Sequence, residues 1–178
     1  MRNTANRWGG RALFDSSLSS GYFVRRATEE DIPFLVRMRL MLQQHMESAN
    51  PHILRNNEAW RNRLPNMYHE QIDDFNALVL MTVGEDNGQA AGMAVAQLVK
   101  EPYMEVERFV KINDVWVDEA YRRKSICSAM LKVIMEHYKD RGISTFTLNY
   151  VKNNLEAEST WNAVGFKPII RNCLLTME

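Results

Sequence analysis

Residues 117–131 read VDEAYRRKSICSAML: the end of a strand, a short basic loop and the start of an amphipathic helix. Upstream, residues 109–117 (FVKINDVWV) are rich in β-branched and aromatic residues and read as a strand. Downstream, Ile126, Ala129, Met130, Val133, Ile134, His137 and Tyr138 form one stripe, and Ser128, Lys132, Glu136 and Asp140 form the opposite, polar one. That pattern predicts a helix over 125–141, stopped by Gly142. A strand feeding a helix through such a loop suits an anion. The amides of a first helical turn lack intrahelical partners, and the aligned peptide dipoles add roughly half a positive charge there. Arg122, Arg123 and Lys124 add full charges beside it. Loops of this kind usually contain glycine, whereas this one has Ser125 and Cys127. On this segment alone, a solvated basic turn is an equal alternative.

Working outward, residues 22–27 (YFVRRA) read as a first strand. Thr28 offers a cap, Glu29, Glu30 and Asp31 suit a first helical turn, and Leu35, Met38, Leu42 and Met46 follow at helical spacing. That helix should end before Asn50-Pro51. A second helix is predicted over about 58–72, interrupted or kinked at Pro65. Residues 77–84 (ALVLMTVG) and 92–98 (GMAVAQL) read as strands joined through a hairpin at Asn87-Gly88. Residues 144–151 alternate, with Phe146, Leu148 and Tyr150 on one face. A short helix over 155–163, stopped by Gly165, precedes a final strand over 167–177. The order βααβββαβαβ describes one α/β domain over 21–178, a mixed sheet with helices packed on its faces.

Bulk composition excludes several classes. A chain of 178 residues suits one domain, typically roughly 100–200 residues. Basic and acidic residues balance at 22 each, which disfavours a nucleic-acid binder. No apolar run approaches the roughly 20 residues that span a bilayer, so no membrane partner is expected. Cys127 and Cys173 have neither metal-ligand spacing nor a disulfide framework, and the four histidines form no ligand pair. The expectation is a cytoplasmic protein without a metal. Residues 1–20, rich in Gly, Ser, Asn and Arg and without periodicity, are expected to be a disordered extension outside the fold.

The segment Arg122-Arg123-Lys124-Ser125-Ile126-Cys127 resembles motif A of the GNAT superfamily of acetyl-CoA-dependent N-acetyltransferases, R/Q-x-x-G-x-G/A after a valine-rich strand. Asn154-Leu155-Glu156-Ala157, followed by Trp161 and Gly165-Phe166, resembles a second family feature. The element order from Tyr22 onward fits as well. The resemblance implies a central, mixed but mostly antiparallel twisted sheet flanked by helices on both faces. It also implies acetyl-CoA as cosubstrate and an amine as acceptor. Backbone amides from Arg123 through Ser128, with Arg122, Lys124, Ser125, Ile126 and Cys127, would cradle the pyrophosphate. Val115, Trp116 and Val117 would run beside the pantetheine arm, and Asn149, Asn154, Ala157 and Trp161 complete the implied cofactor set.

Two departures bear on chemistry. Trp161 stands where the family often has an acidic tyrosine, and Asn113 stands where it often has a carboxylate; neither titrates near neutral pH. Asp114 is adjacent but should face the other way, because side chains alternate along a strand unless a bulge intervenes. Asn113, Asp114 and Tyr150 are the candidate catalytic residues, with Glu107 in reserve. If position 125 or 127 needs positive φ, a Cβ there costs roughly 1 kcal/mol or more; otherwise Ser125 could cap the helix. A thiol at Cys127, at a helix N-terminus, is expected to have a lowered pKa.

The leading reading is an N-acetyltransferase acting on a primary amine of a small molecule or protein. The alternatives are a non-catalytic acyl-CoA-binding regulatory domain and an interaction module that binds no CoA. Residues 43–57 are expected to line the acceptor site, and Glu101, Glu105 and Glu107 either attract a cationic amine or form a solvated connection. A homodimer is compatible with the resemblance.

Overall fold

The computed structural model describes residues 21–86, 88–175 and 177. The extension expected over 1–20 lies outside them, as does Asn87 of the hairpin. In chain order the elements are β1 (Tyr22–Arg26), a 3-10 turn (Glu29–Asp31), α1 (Ile32–Ala49), α2 (Glu58–Asp73), β2 (Ala77–Gly84) and β3 (Ala90–Lys100). Then come β4 (Arg108–Val117), a second 3-10 turn (Glu119–Tyr121), α3 (Ile126–Lys139), β5 (Phe146–Leu148) and α4 (Leu155–Val164).

The strands form one open sheet in the order β1-β2-β3-β4-β5. Three neighbouring pairs are antiparallel, and only β4 and β5 are parallel. The mixed, mostly antiparallel sheet is thus as expected. Its central strands β2 and β3 are buried on both faces and read as continuous apolar runs. On one face Ile126, Met130, Ile134 and Tyr138 of α3 pack on Leu78, Leu80 and Ala94. On the other, Leu35 and Met38 of α1 and Tyr68 of α2 pack on Val79, Met81 and Val95.

The start of α1 is locally over-determined. Asp31 accepts from the Thr28 backbone N–H at 2.8 Å, and the guanidinium of buried Arg25 grips its two carboxylate oxygens at 2.6 and 2.7 Å. α2 runs through Pro65 without the interruption that was one of the two expectations there. Leu64 and Tyr68, on either side of the proline and one turn apart, are both buried, and that anchorage offsets the lost amide bond.

Two strand predictions change. β5 holds only three residues, because it pairs with β4 over Val110–Ile112 alone. The final strand predicted over 167–177 is absent from the described part of that stretch. Ile169, Ile170, Leu174 and Leu175 are exposed there, in adjacent pairs that serve both faces at once rather than alternating. β-propensity without a partner strand does not make a strand.

Candidate active site

β4 carries a bulge. Val95 of β3 lies opposite Asp114, but the next residue, Ala96, lies opposite Ile112, leaving Asn113 as the extra residue. The side-chain alternation therefore slips by one. Val110 and Ile112 lie in the α3-side core before the bulge, and Val115 and Val117 pack against that same core after it. Lys111 and Asn113, and then Asp114 and Trp116, consequently share the α1–α2 face. The expectation that Asp114 points away from Asn113 fails here, for the reason that could overturn it: an extra residue shifts the period.

Both side chains open into a cleft of ≈ 350 Å³. α1 contributes Arg39, and α2 contributes Trp60, Leu64, Met67, Tyr68 and Gln71. Lys111, Ile112, Asn113 and Asp114 of β4 and Asn149, just past β5, form the opposite wall. Arg39 Nε lies 3.1 Å from Asp114 Oδ1, with the side chains 14% and 17% exposed, and the guanidinium also covers the Trp60 ring at 4.8 Å. Burial raises the pKa of Asp114, and the Arg39 charge pulls part of that rise back. Burial likewise pushes the Tyr68 phenol well above its ordinary range, helped by the negative charge of Asp114. Tyr68 donates to Met93 Sδ at 3.8 Å.

Tyr150 and Glu107 are not among the side chains lining this cleft. Nor does the stretch 43–57 line it. Instead, buried Gln43 joins a polar chain, donating to Glu47 at 2.9 Å and accepting from Arg39 and Asn56 at 3.2 and 3.1 Å. Glu101, Glu105 and Glu107 are exposed in the β3–β4 connection. Arg39, Tyr68 and Trp60 escaped the sequence reading. Tyr68 belongs to an ordinary i, i+4 apolar pair with Leu64, and nothing local links Arg39 to Asp114.

The loop lies at the C-terminal end of β4. The first backbone bond of α3 runs from Ala129 N–H to Ser125 O at 3.0 Å, so the amides of Ile126, Cys127 and Ser128 precede the helical ladder. Arg123 and Ser125 have φ of 60°, in the left-handed region. Ser125 therefore bears the Cβ penalty and makes no side-chain cap. Cys127 lies inside the helix and bears none. Its thiol is pushed up to about 11 by burial, the reverse of the lowering expected at a helix start. Below this end of β4, a Cβ on Gly92 would meet Trp116 O at 2.9 Å, so the β3–β4 approach requires glycine.

Arg122 is already engaged. It donates to Val117 O at 3.2 Å and to Glu156 of α4 at 3.0 Å, and stacks over Trp116 at 5.0 Å. His45 makes an edge contact with Trp116 at 5.6 Å and approaches the same Glu156 carboxylate at 3.9 Å. Lys124 reaches the Tyr22 hydroxyl at 3.3 Å. Asn154 accepts from the Ala157 N–H at 3.1 Å and so caps α4, a structural role for the N-x-x-A spacing. Trp161 packs edge-on with Phe166 at 6.1 Å. β4 has no strand pairing on its β5 side beyond Ile112 among the described residues, which leaves the edge of Asn113–Val117 open. The loop, that open edge and the cleft lie in sequence along one strand.

The sheet is thus open and mixed, with a bulge in β4, an open strand edge beside it and a basic strand–loop–helix at its end. The profile of the Acetyltransferase (GNAT) family matches residues 41–166, and the chain belongs to that family. Human N-acetyltransferase 8 is 27% identical over 85 residues, 48% of this chain and 37% of its own length. A mouse relative, N-acetyltransferase family 8 member 3, is 23% identical over 61% of this chain and 50% of its own. The chain thus spans half or less of the length of these curated relatives. Among solved structures, a mutant of the BH1408 protein from Bacillus halodurans superposes with a TM-score of 0.77 at 20% identity, covering 88% of this chain and 99% of that one. A predicted acetyltransferase from Clostridium acetobutylicum, solved with acetyl-CoA, superposes at 0.71 with 18% identity over 87% and 96% of the two chains. No helix among the described residues is long and apolar enough to cross a membrane.

Proposed function

We propose that this chain is an acetyl-CoA-dependent N-acetyltransferase that transfers the acetyl group directly to a primary amine in a ternary complex. The bulge at Asn113 carries the reading, because it turns Asp114 into a cleft beside the open edge of β4. The chain's own groups fit the cosubstrate. The amides of Ile126, Cys127 and Ser128 and the charges of Arg123 and Lys124 suit a pyrophosphate. The open edge at Val115–Val117 suits the pantetheine amides as an added strand. Acetyl-CoA supplies the activated acyl group.

Asp114 serves as the base in this proposal. Burial raises its pKa toward the working range of a general base, and Arg39 keeps enough of it ionised to accept a proton. The amine nitrogen bonds to the acyl carbon, the C–S bond breaks, Asp114 takes the amine proton, and the leaving thiolate is protonated from solvent. Tyr68 stays protonated throughout, its hydroxyl donating to Met93 Sδ. Asn113 and Asn149 orient the acceptor. Much of the rate would come from holding the two reactants together, which can supply roughly 7–11 kcal/mol.

The test is a melting curve with and without acetyl-CoA, followed by thiol release with a panel of amines. Saturation at 100 times the dissociation constant should add about 2.7 kcal/mol. No shift at millimolar acetyl-CoA would sink the proposal. The packing of Trp161 on Phe166, with no titratable tyrosine at that place, favours one second reading: a domain that binds acyl-CoA without turning it over. A shift without thiol release from any amine would select it.

A further inference from the structure

The charges of the cleft carry a statement about the acceptor. Three charged side chains line it: Arg39, Lys111 and Asp114. Arg39 and Asp114 neutralise each other at 3.1 Å, both largely withdrawn from solvent. Lys111 is exposed at the same cleft and has no carboxylate within 4.0 Å among the described residues. Within the cleft itself, the uncompensated charge is therefore positive. A polyamine would meet two cations and a carboxylate that is already engaged.

We propose that the acceptor is a small amine bearing its own carboxylate, with Lys111 holding the carboxylate while the amine faces Asp114. The proposal rests on the acetyltransferase reading above. Lys111 and Asp114 are three residues apart on β4, about 7–10 Å along a strand that rises roughly 3.3 Å per residue. A four-carbon lysine arm and an amine a few bonds from its carboxylate close that distance. The wall of α2 opposite is mixed, with Trp60 and Met67 beside Gln71, and the two apolar side chains suit an apolar part of the acceptor. The ≈ 350 Å³ volume, at the small end of ligand clefts, matches an amino acid rather than a large saccharide. The hollow that continues the cleft along α2 adds Arg63, Glu70 and Asp74. Asp74 there already accepts from the Asn76 N–H at 2.8 Å and from Gln97 Nε2 at 3.4 Å.

The test uses the full chain, acetyl-CoA and three acceptors: phenylalanine, phenylalanine amide and spermidine. Rates are compared per neutral amine, since the amide is the weaker base. The wild type is expected to favour phenylalanine over its amide by about tenfold in kcat/KM, the scale of one charge-assisted contact. Lys111→Glu should abolish or invert that ratio chiefly through KM, and Lys111→Gln should fall between. An amide or spermidine preference in the wild type, or a ratio unmoved by Lys111→Glu, overturns the proposal. Acetyl-CoA-induced melting shifts on the same samples separate the two levels. A wild type without a shift breaks the acetyltransferase reading itself, whereas a shift with the wrong acceptor preference breaks only the assignment of Lys111.

Discussion

The two ends of β4 work with different parts of the chain. At its C-terminal end, the loop into α3 presents backbone amides, and the side chains there are engaged elsewhere: Arg122 with Glu156, Lys124 with Tyr22. In its middle, the bulge presents side chains, and their chemistry depends on which residues they are. A backbone site tolerates substitution so long as the conformation survives. A side-chain site does not. On the proposed reading, the loop can therefore carry serine and cysteine where glycine or alanine is usual, whereas Asp114 would have no substitute in its cleft.

The largest expected effect lies at the bulge. Asp114→Asn should lower kcat by about 10²–10³-fold, the range of a general base, while the acetyl-CoA melting shift persists. A fall of less than about threefold would remove Asp114 from the chemistry. Arg39→Gln comes next and is read in a pH profile. Asp114 acts ionised, so activity is lost as pH falls through its pKa. Removing the one cation that holds that pKa down must move the acidic limb to higher pH. A limb that stays in place would mean that Asp114 is not the titrating group.

The loop end should respond more gently, and on binding rather than rate. Glu156→Gln frees Arg122 from α4 and should tighten acetyl-CoA binding roughly threefold, as measured by titration calorimetry; unchanged or weaker binding would make the contact purely architectural. The smallest effects separate the two small-residue positions of the loop. Ser125→Gly relieves a left-handed residue and should raise stability by about 1 kcal/mol, a few degrees in Tm. Cys127→Gly removes a helical side chain packed against the core and should lower it by about 1 kcal/mol or more. Shifts of the same sign in both variants would contradict the conformations of the loop.

Much of this was legible because it is local. The stripe Ile126, Met130, Val133, Ile134 and Tyr138 announced α3, and the apolar runs of β2 and β3 announced buried strands. The loop's charges and its resemblance to the family motif drew attention to the C-terminal end of β4. The bulge was named only as a contingency, because it is a property of two strands. Nothing in INDV distinguishes a regular strand from one that gains a residue against Val95 and Ala96. The left-handed backbone of Ser125 was signalled only by the glycine that the family prefers there.

From its sequence alone, this chain determined its α/β order, its basic strand–loop–helix and the residues available for chemistry, since periodicity and caps act within a few neighbours. The C-terminal stretch marks the limit of that reading: its apolar residues have strand propensity but no strand to pair with. Only the tertiary structure decided which way Asp114 points, that Arg39 meets it across more than seventy residues of chain, and that Lys111 is left as the cleft's unpaired charge. Each of those depends on the register between β3 and β4 and on how α1 and α2 lie across the sheet, and long-range packing, unlike periodicity, leaves no mark in the neighbouring sequence.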